Sequence, residues 1–176
     1  MKRLLACLLV LLAHQMAQAG NLDFLLGDDK DKDPWKESDY KLPLFPQDAN
    51  LIEFYVGPTE TAKFYIDQNS IDAGHDDGVV RYTMVVKTAG GATNISYEGL
   101  YCDAQRLRIY ATGRSDGTWS EARDSEWKAM AGTNKREQAL ARNYFCPNFS
   151  PIYSAKEGIR ALKLGGNPDV KNIDSP

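Results

Sequence analysis

The sequence predicts an α+β domain, in which an antiparallel meander of about five to six strands is packed by a C-terminal helix. Between residues 51 and 130, apolar and polar side chains alternate with a period of two, which is typical of strands that bury one face. Turn-forming residues separate these segments at short intervals. A helical pattern begins only after the last strand, so strands and helices are segregated along the chain, as in α+β domains.

The predicted strands cover 51–56, 63–68, 79–88, 94–102 and 106–113, and a short further strand begins at Trp119. The third strand shows the alternation clearly, because one face of it is formed by Val80, Tyr82, Met84 and Val86. Gly90-Gly91 and Ser115-Asp116-Gly117 are typical of the tight turns that join neighbouring antiparallel strands.

Residues 134–146 are predicted to form a helix, with Asn134 at the N-cap and Glu137 in position to complete a capping box. Pro147 ends this helix. A second short helix is expected over Ala155–Leu162, and the polar residues 164–176 are predicted to form a disordered tail. Residues 51–163 are therefore expected to form a single α+β domain.

A polar arm, residues 20–50, precedes this domain. Alternating Asp and Lys residues at 28–33 and prolines at 34, 43 and 46 oppose a long regular element. Several apolar side chains are expected to lay the arm on the domain, namely Leu25, Leu26, Trp35, Leu42, Leu44 and Phe45.

Residues 1–19 have the three parts of a secretory signal peptide. Lys2 and Arg3 precede an apolar run over 4–13, which is about 15 Å long as a helix and too short to span a bilayer. The run 17–19, Ala-Gln-Ala, predicts cleavage after Ala19 and a periplasmic protein, with secretion beyond the periplasm left open. The alternatives are an uncleaved anchor and lipidation at Cys7, although most of the apolar run follows Cys7 rather than preceding it.

The charge of the chain argues against a nucleic-acid partner, and its hydropathy argues against a membrane span in the cleaved protein. The formal net charge of −3 becomes −5 (19 basic against 24 acidic residues) when Lys2 and Arg3 leave with the signal peptide. Such a chain lacks the clustered basic residues that bind nucleic acid. No second long apolar segment is present, so the cleaved protein is not expected to span a membrane.

Two cysteines, Cys102 and Cys146, remain after cleavage, and an even pair predicts a disulfide in an oxidising compartment. The disulfide would close a loop of about 45 residues, which corresponds to roughly 4 kcal/mol of stability. Two buried free thiols are the alternative. Two cysteines and the one remaining histidine, His75, cannot complete a zinc shell without carboxylates, so no metal site is predicted.

One stretch matches a hydrolase motif. Residues 113–117 read G-x-S-x-G, with Ser115 in the nucleophile position. A helix follows the serine in that motif, whereas Thr118 and Trp119 are typical of a return strand. The stretch is therefore interpreted as a hairpin turn, and neither a catalytic residue nor a cofactor is predicted.

Three arginines form a candidate anion-binding face. Arg106 and Arg108 lie on the fifth predicted strand and Arg81 lies on the third. If these strands are neighbours, the arginines give the acidic protein a cationic face. That face would suit an anionic glycan or a lipid headgroup.

Several stretches together resemble a known family, namely 42–46, Lys63–Ile71 (KFYIDQNSI), Tyr97–Asp124, Trp127 and Tyr144–Pro147. They resemble the CNP-like family of exported proteobacterial proteins, which is of unknown function, so the resemblance implies export and supplies no catalytic residue.

The order of an FYID strand, a C-D-x-x-x-x-R strand and a G-x-W turn is also similar to surface-adhesin protein E-like domains. This second resemblance implies a small antiparallel sheet with added helices, an envelope location, and binding rather than catalysis.

These features predict an exported bacterial envelope protein that binds or scaffolds an unknown envelope component and is not an enzyme. One alternative is an assembly partner of an outer-membrane complex, which an exposed apolar patch or an unpaired sheet edge would favour. The other is a hydrolase, which would need Ser115, His75 and an Asp in one pocket.

Overall fold

Among the described residues, seven antiparallel strands form one sheet at the centre of the fold. The computed structural model describes residues 35–74 and 76–170. The predicted signal peptide and its cleavage site, residues 20–34 of the predicted arm, His75, and residues 171–176 lie outside the described residues.

Six strands follow one another across the sheet in chain order: β1 (Leu51–Phe54), β2 (Lys63–Asp72), β3 (Val79–Lys87), β4 (Thr93–Tyr101), β5 (Arg106–Gly113) and β6 (Trp119–Glu121). A seventh strand, β7 (Lys128–Ala129), pairs with the other end of β5. The predicted α+β class with a meander sheet is confirmed. Strand β7 was not predicted, because two residues are too few to show a period.

Two helices cover one face of the sheet. The first, α1 (Lys135–Leu140), continues into a π-helical turn (Ala141–Phe145) and ends before Pro147, close to the prediction. The second, α2 (Ala155–Leu164), extends two residues beyond its predicted end.

The predicted capping box at α1 is wrong. Asn134 makes no side-chain cap to that helix, and its Oδ1 instead accepts a hydrogen bond from the backbone N–H of Ala131 at 3.0 Å. The side chain of Ser154 caps α2, where its hydroxyl accepts from the backbone N–H of Glu157 at 3.3 Å.

The main core lies between the sheet and the helices. The predicted apolar face of β3 is buried there, and its neighbours include Phe64, Ile66, Leu100, Leu140, Phe145, Ile152 and Leu162. The rings of Tyr82 and Phe145 meet edge to face with centroids 5.6 Å apart, which fixes the π-helical turn against the centre of the sheet.

The predicted disulfide is present between Cys102 and Cys146, whose Cα atoms are 5.4 Å apart. Cys102 directly follows β4, and Cys146 directly follows the π-helical turn. The bond therefore ties the helical layer to the sheet.

Residues 36–47, which contain no helix or strand, lie along the opposite face of the sheet. The Phe45 ring packs against Trp119 at 5.3 Å, and Trp119 Nε1 donates to the Pro43 carbonyl at 2.9 Å. Of the predicted apolar anchors, Phe45 makes such a contact, whereas Leu44 is 91% exposed and does not anchor this segment.

Part of the predicted disordered tail is packed against the helices. Asn167 is buried, and its side-chain amide donates to the Tyr144 carbonyl at 3.2 Å. Its backbone N–H donates to the Asn143 carbonyl at 2.6 Å. The prediction of disorder is therefore wrong for the residues immediately after α2, since the buried amide finds partners there that the local sequence does not reveal.

Within the described parts of the chain, no helix combines the length and the apolar character that a membrane span requires.

Candidate functional site

The three arginines predicted to bind an anion differ in exposure. Strand pairing aligns Arg81 with Gly99 and Gly99 with Arg108, and it aligns Arg106 with Tyr101. This register places the three arginines on the face that residues 36–47 cross. Arg106 is exposed and Arg108 is half-buried, but only 1% of Arg81 is exposed. The predicted exposed cationic face is therefore wrong, because residues 36–47 cover its central part.

A carboxylate from the chain itself occupies the space between Arg81 and Arg108. Glu37 Oε1 accepts hydrogen bonds from Arg81 Nη2 at 3.0 Å and from the Tyr110 hydroxyl at 2.5 Å. Glu37 Oε2 accepts from Trp127 Nε1 at 2.9 Å and also from Arg108 Nη1. We call these donors, Arg81, Arg108, Tyr110 and Trp127, the Glu37 pocket.

Glu37 was missed by the sequence analysis. It lies in an irregular segment, and its partners are 44 to 90 residues away along the chain. No local sequence pattern predicts a contact between residues so far apart along the chain. Tyr110, two residues after Arg108, and the more distant Trp127 were signals in the sequence that aromatic side chains could join the arginines on this face.

Among the described residues, two carboxylates, Glu37 and Asp77, pair with the two guanidinium groups of Arg81 and Arg108. Arg81 Nη2 also donates to Asp77 Oδ2 at 2.5 Å, with both side chains almost fully buried. Burial raises the pKa of the Asp77 carboxyl, but hydrogen bonds from Arg81, Ser38 and Val79 outweigh it and leave the pKa below its usual range. The pKa of Glu37 is likewise lowered, because the hydrogen bonds it accepts outweigh its desolvation.

A second polar cluster lies within the main core. Glu98, with no exposed surface, accepts hydrogen bonds from the Tyr82 hydroxyl at 3.0 Å and from the Ser96 hydroxyl at 2.5 Å. Burial and the neighbouring Glu137 raise the pKa of Glu98 to about 7. Arg136 Nε donates to Glu137 Oε1 at 2.6 Å, which partly offsets the charge of this acid pair. Because Glu98 has no exposed surface, it is not placed to meet a substrate.

The surroundings of Ser115 do not support the hydrolase alternative. This residue lies in the exposed turn between β5 and β6, where the N–H of Arg114 donates to the Thr118 carbonyl at 2.8 Å. The adjacent Asp116 accepts hydrogen bonds from both the backbone and the hydroxyl of Thr118. A strand follows the turn, whereas the hydrolase motif requires a helix.

No group of three or more His, Cys, Asp or Glu side chains is placed to hold a metal ion within residues 35–74 and 76–170.

An open groove of about 540 Å³ lies where the loop between β1 and β2 faces the end of α2. Buried Phe54, Phe64, Tyr144 and Leu162 are among its lining residues. Tyr55, also in the lining, is 64% exposed, and Leu164, next to two lining residues, is 62% exposed. We call this feature the edge groove.

The backbone beside the edge groove is held by Tyr144. The Tyr144 hydroxyl accepts from the N–H of Tyr55 at 3.3 Å and lies 3.4 Å from the Tyr55 carbonyl, to which it donates. These two bonds satisfy the backbone N–H and carbonyl of Tyr55, directly after β1. They hold the main chain that carries the exposed Tyr55 side chain.

Comparison with known proteins places the chain in a family. Cryptic neisserial protein 1 of Neisseria gonorrhoeae is 26% identical over 122 residues, which cover 60% of this chain and 59% of that protein. The chain therefore spans less than two thirds of the length of this curated relative. No solved structure matches the chain. The model of the CNP1-like family matches residues 30–163, which confirms the resemblance, and the chain belongs to the CNP1-like family.

Proposed function

We propose that the protein is an exported, non-catalytic binding module of the bacterial cell envelope that holds an extended segment of a partner protein at the edge groove. The exposure of Tyr55 and Leu164 beside a groove with a buried apolar lining carries this proposal. Large exposed apolar side chains that adjoin such a groove favour contact with another protein.

The sheet edge next to the groove supports an extended ligand. β1 is the terminal strand of the sheet and pairs with β2 over Leu51–Phe54. Among residues 35–74 and 76–170, no strand pairs with the outer edge of β1. An edge of this kind offers backbone N–H and C=O groups to an added strand, while a neighbouring groove selects its side chains.

The charges around the groove favour a peptide over an anionic glycan or lipid. Lys63 and Lys163 line the groove together with Glu53 and Glu60, so neither sign of charge dominates. Lys63 Nζ lies 3.4 Å from Glu53 Oε2, and both side chains are exposed. A mixed rim of this kind suits the polar flanks of a protein segment better than a polyanion.

The envelope location rests on the predicted signal peptide at residues 1–19. Membership of a family that the sequence analysis associated with export agrees with it. An extended segment of an outer-membrane complex is one partner that the groove would suit, which keeps the assembly alternative within this proposal.

The experiment is site-specific photocrosslinking in cells that export the full chain. A photoreactive residue replaces Tyr55 in one strain and Tyr153 in another, and Tyr153 is the matched control because it is an aromatic residue that is 79% exposed. Tyr153 precedes Ser154, the N-cap of α2, whereas the groove lies at the C-terminal end of that helix. We expect a discrete crosslinked species from position 55 that is absent from position 153.

A Tyr55→Asp variant tests the same contact without a probe. The crosslinked partner should co-purify with the wild-type chain and with Tyr153→Asp, and it should be lost from Tyr55→Asp. Identical crosslinking from both positions, or retention of the partner by folded Tyr55→Asp, would contradict the proposal.

A further inference from the structure

The Glu37 carboxylate is held as a bound ligand would be. Each of its oxygens accepts two hydrogen bonds, and the donors come from β3, from β5 and from the loop before β7. Two donors are guanidinium groups, which form the strong charge-assisted bonds used for carboxylate recognition. The other two are a phenol and an indole, which orient the carboxylate and shield it from water.

The arginines are held in place by residues other than Glu37. Arg81 is anchored by Asp77 at 2.5 Å. Arg108 Nε donates to the Ser125 hydroxyl at 3.0 Å, and that hydroxyl donates to the Ile109 carbonyl at 2.8 Å. Each guanidinium group therefore has a partner that remains when the carboxylate between them is removed.

The aromatic donors are also held independently. The Tyr110 ring lies directly over Gly99, where a Cβ atom would stand 2.4 Å from the hydroxyl oxygen. The Trp127 ring meets Tyr101 at 6.1 Å and Tyr110 at 6.4 Å, in both cases edge to face. The pocket is therefore preorganised, which is the property that lowers the cost of binding a ligand.

The segment that carries Glu37 is less buried than the pocket that Glu37 enters. Residues 36–47 form no helix or strand, and none of them is buried. The other contacts of the segment include the N–H of Ser38, which donates to Asp77 Oδ2 at 2.9 Å, and the Tyr40 ring, 4.2 Å from Tyr110. Segments with few buried side chains open at a lower free energy than the strands beneath them.

We propose that the Glu37 pocket is a binding site for a carboxylate ligand and that Glu37 occupies it as a tethered competitor. Among the described residues, the carboxylates that pair with Arg81 and Arg108 are Asp77 and Glu37, so removal of Glu37 would leave room and one guanidinium charge for one carboxylate. Arg81 Nε is also buried and has no acceptor among the described residues. This site is independent of the edge groove.

The test uses Glu37→Ala in the full mature chain, with sodium acetate as the probe. Near-UV circular dichroism first establishes that the variant is folded. Acetate should then raise its Tm and change its tryptophan fluorescence, because Trp127 donates directly into the pocket. The wild-type chain should need at least about tenfold more acetate for the same response, since tethered Glu37 competes at a high effective concentration.

Two controls separate a built site from a general effect of salt. Sodium chloride at equal ionic strength should leave the Tm of Glu37→Ala unchanged, and Glu37→Ala combined with Arg108→Met should lose the acetate response. An equal shift with chloride, a shift that survives Arg108→Met, or no shift in the folded single variant would overturn the proposal.

If Glu37→Ala does not fold, Glu37→Gln answers the same question. The amide keeps the shape of the side chain but lacks the negative charge that Arg108 faces. Acetate should then displace it and raise the Tm at a concentration at least several-fold lower than in the wild-type chain. Equal acetate responses in Glu37→Gln and the wild type would overturn the proposal.

Discussion

Two glutamates show how the surroundings of a side chain decide its ionisation. Glu37 lies against one face of the sheet and Glu98 belongs to β4, and the pKa of Glu37 is lowered whereas that of Glu98 is raised. Glu37 accepts four hydrogen bonds, two of them from arginines, and these stabilise the charged form. Glu98 accepts two bonds from neutral hydroxyls and faces Glu137, so burial and repulsion favour the protonated form.

Glu98→Gln should remove a pH dependence of stability. The folded-state pKa of Glu98 is raised from 4.5 to about 7, so the stability associated with its protonation is present below pH 4.5 and is lost as the pH rises through about 7. Glu98→Gln lacks this titrating group. The free energy of unfolding of the variant minus that of the wild type should therefore increase by about 2 kcal/mol between pH 5 and pH 8. Urea unfolding of both chains at the two pH values measures this, and a difference that does not change with pH would contradict it.

Gly99→Ala should displace the Tyr110 ring that covers it. The new Cβ atom would lie 2.4 Å from the Tyr110 hydroxyl, which must then leave Glu37. We expect a loss of about 2 kcal/mol in the free energy of unfolding. Gly132→Ala is the matched control, because a Cβ atom there meets nothing within 4 Å, and it should change stability by less than about 0.5 kcal/mol. Equal costs for the two substitutions would refute this account of Gly99.

At the scale of elements, the helical layer depends on tertiary contacts more than on its own helices. Six residues of α1 are too few to be stable alone in water. The π-helical turn that follows buries Tyr144 and Phe145, and the disulfide at Cys146 secures its end. Gly158 within α2 lies so close to Ile152 that a Cβ atom would stand 2.7 Å from it, so that helix also relies on a close contact.

Replacing both cysteines, as Cys102→Ser with Cys146→Ser, should lower the free energy of unfolding by about 4 kcal/mol, because the unfolded chain regains the entropy of an open loop. Denaturant unfolding of the mature chain with and without reductant measures the same quantity. Reductant should destabilise the wild type and leave the double variant unchanged. A wild-type chain that is insensitive to reductant, with two reactive thiols, would show that the bond does not form in the protein.

At the scale of the whole molecule, the two faces of the sheet and its edge differ in what covers them. The helices bury one face, and residues 36–47 cover part of the other through the Glu37 pocket. The β1 edge adjoins an open groove. The proposed protein contact and the proposed carboxylate site therefore lie on different parts of the sheet and can be tested separately.

Export should leave a mature chain that begins at Gly20. We expect the protein in the periplasmic fraction of cells that express residues 1–176, with an intact mass that corresponds to cleavage after Ala19. A lipid-modified chain beginning at Cys7, or a full-length chain retained in the membrane fraction, would contradict this prediction in favour of one of the two alternatives.

The sequence by itself predicted the fold class, the order of the first six strands and the Cys102–Cys146 disulfide, with two free thiols as the alternative. Val80, Tyr82, Met84 and Val86 alternate because an extended backbone turns successive side chains to opposite faces, and this period is local. Short turns join neighbouring strands, so chain order also predicted sheet order. Two cysteines left after the predicted cleavage allow only one intramolecular pair.

Only the tertiary structure decided the sites. Arg81 carries the same local pattern whether it faces water or Glu37, and its burial depends on a segment more than forty residues away. Asn134 has the residue type and spacing of a cap, yet its side chain bonds to Ala131 instead. Both cases have the same physical reason. The periodicity of a sequence reflects the backbone geometry of one segment, whereas the exposure of a side chain and its hydrogen-bond partners depend on which distant segments meet in space.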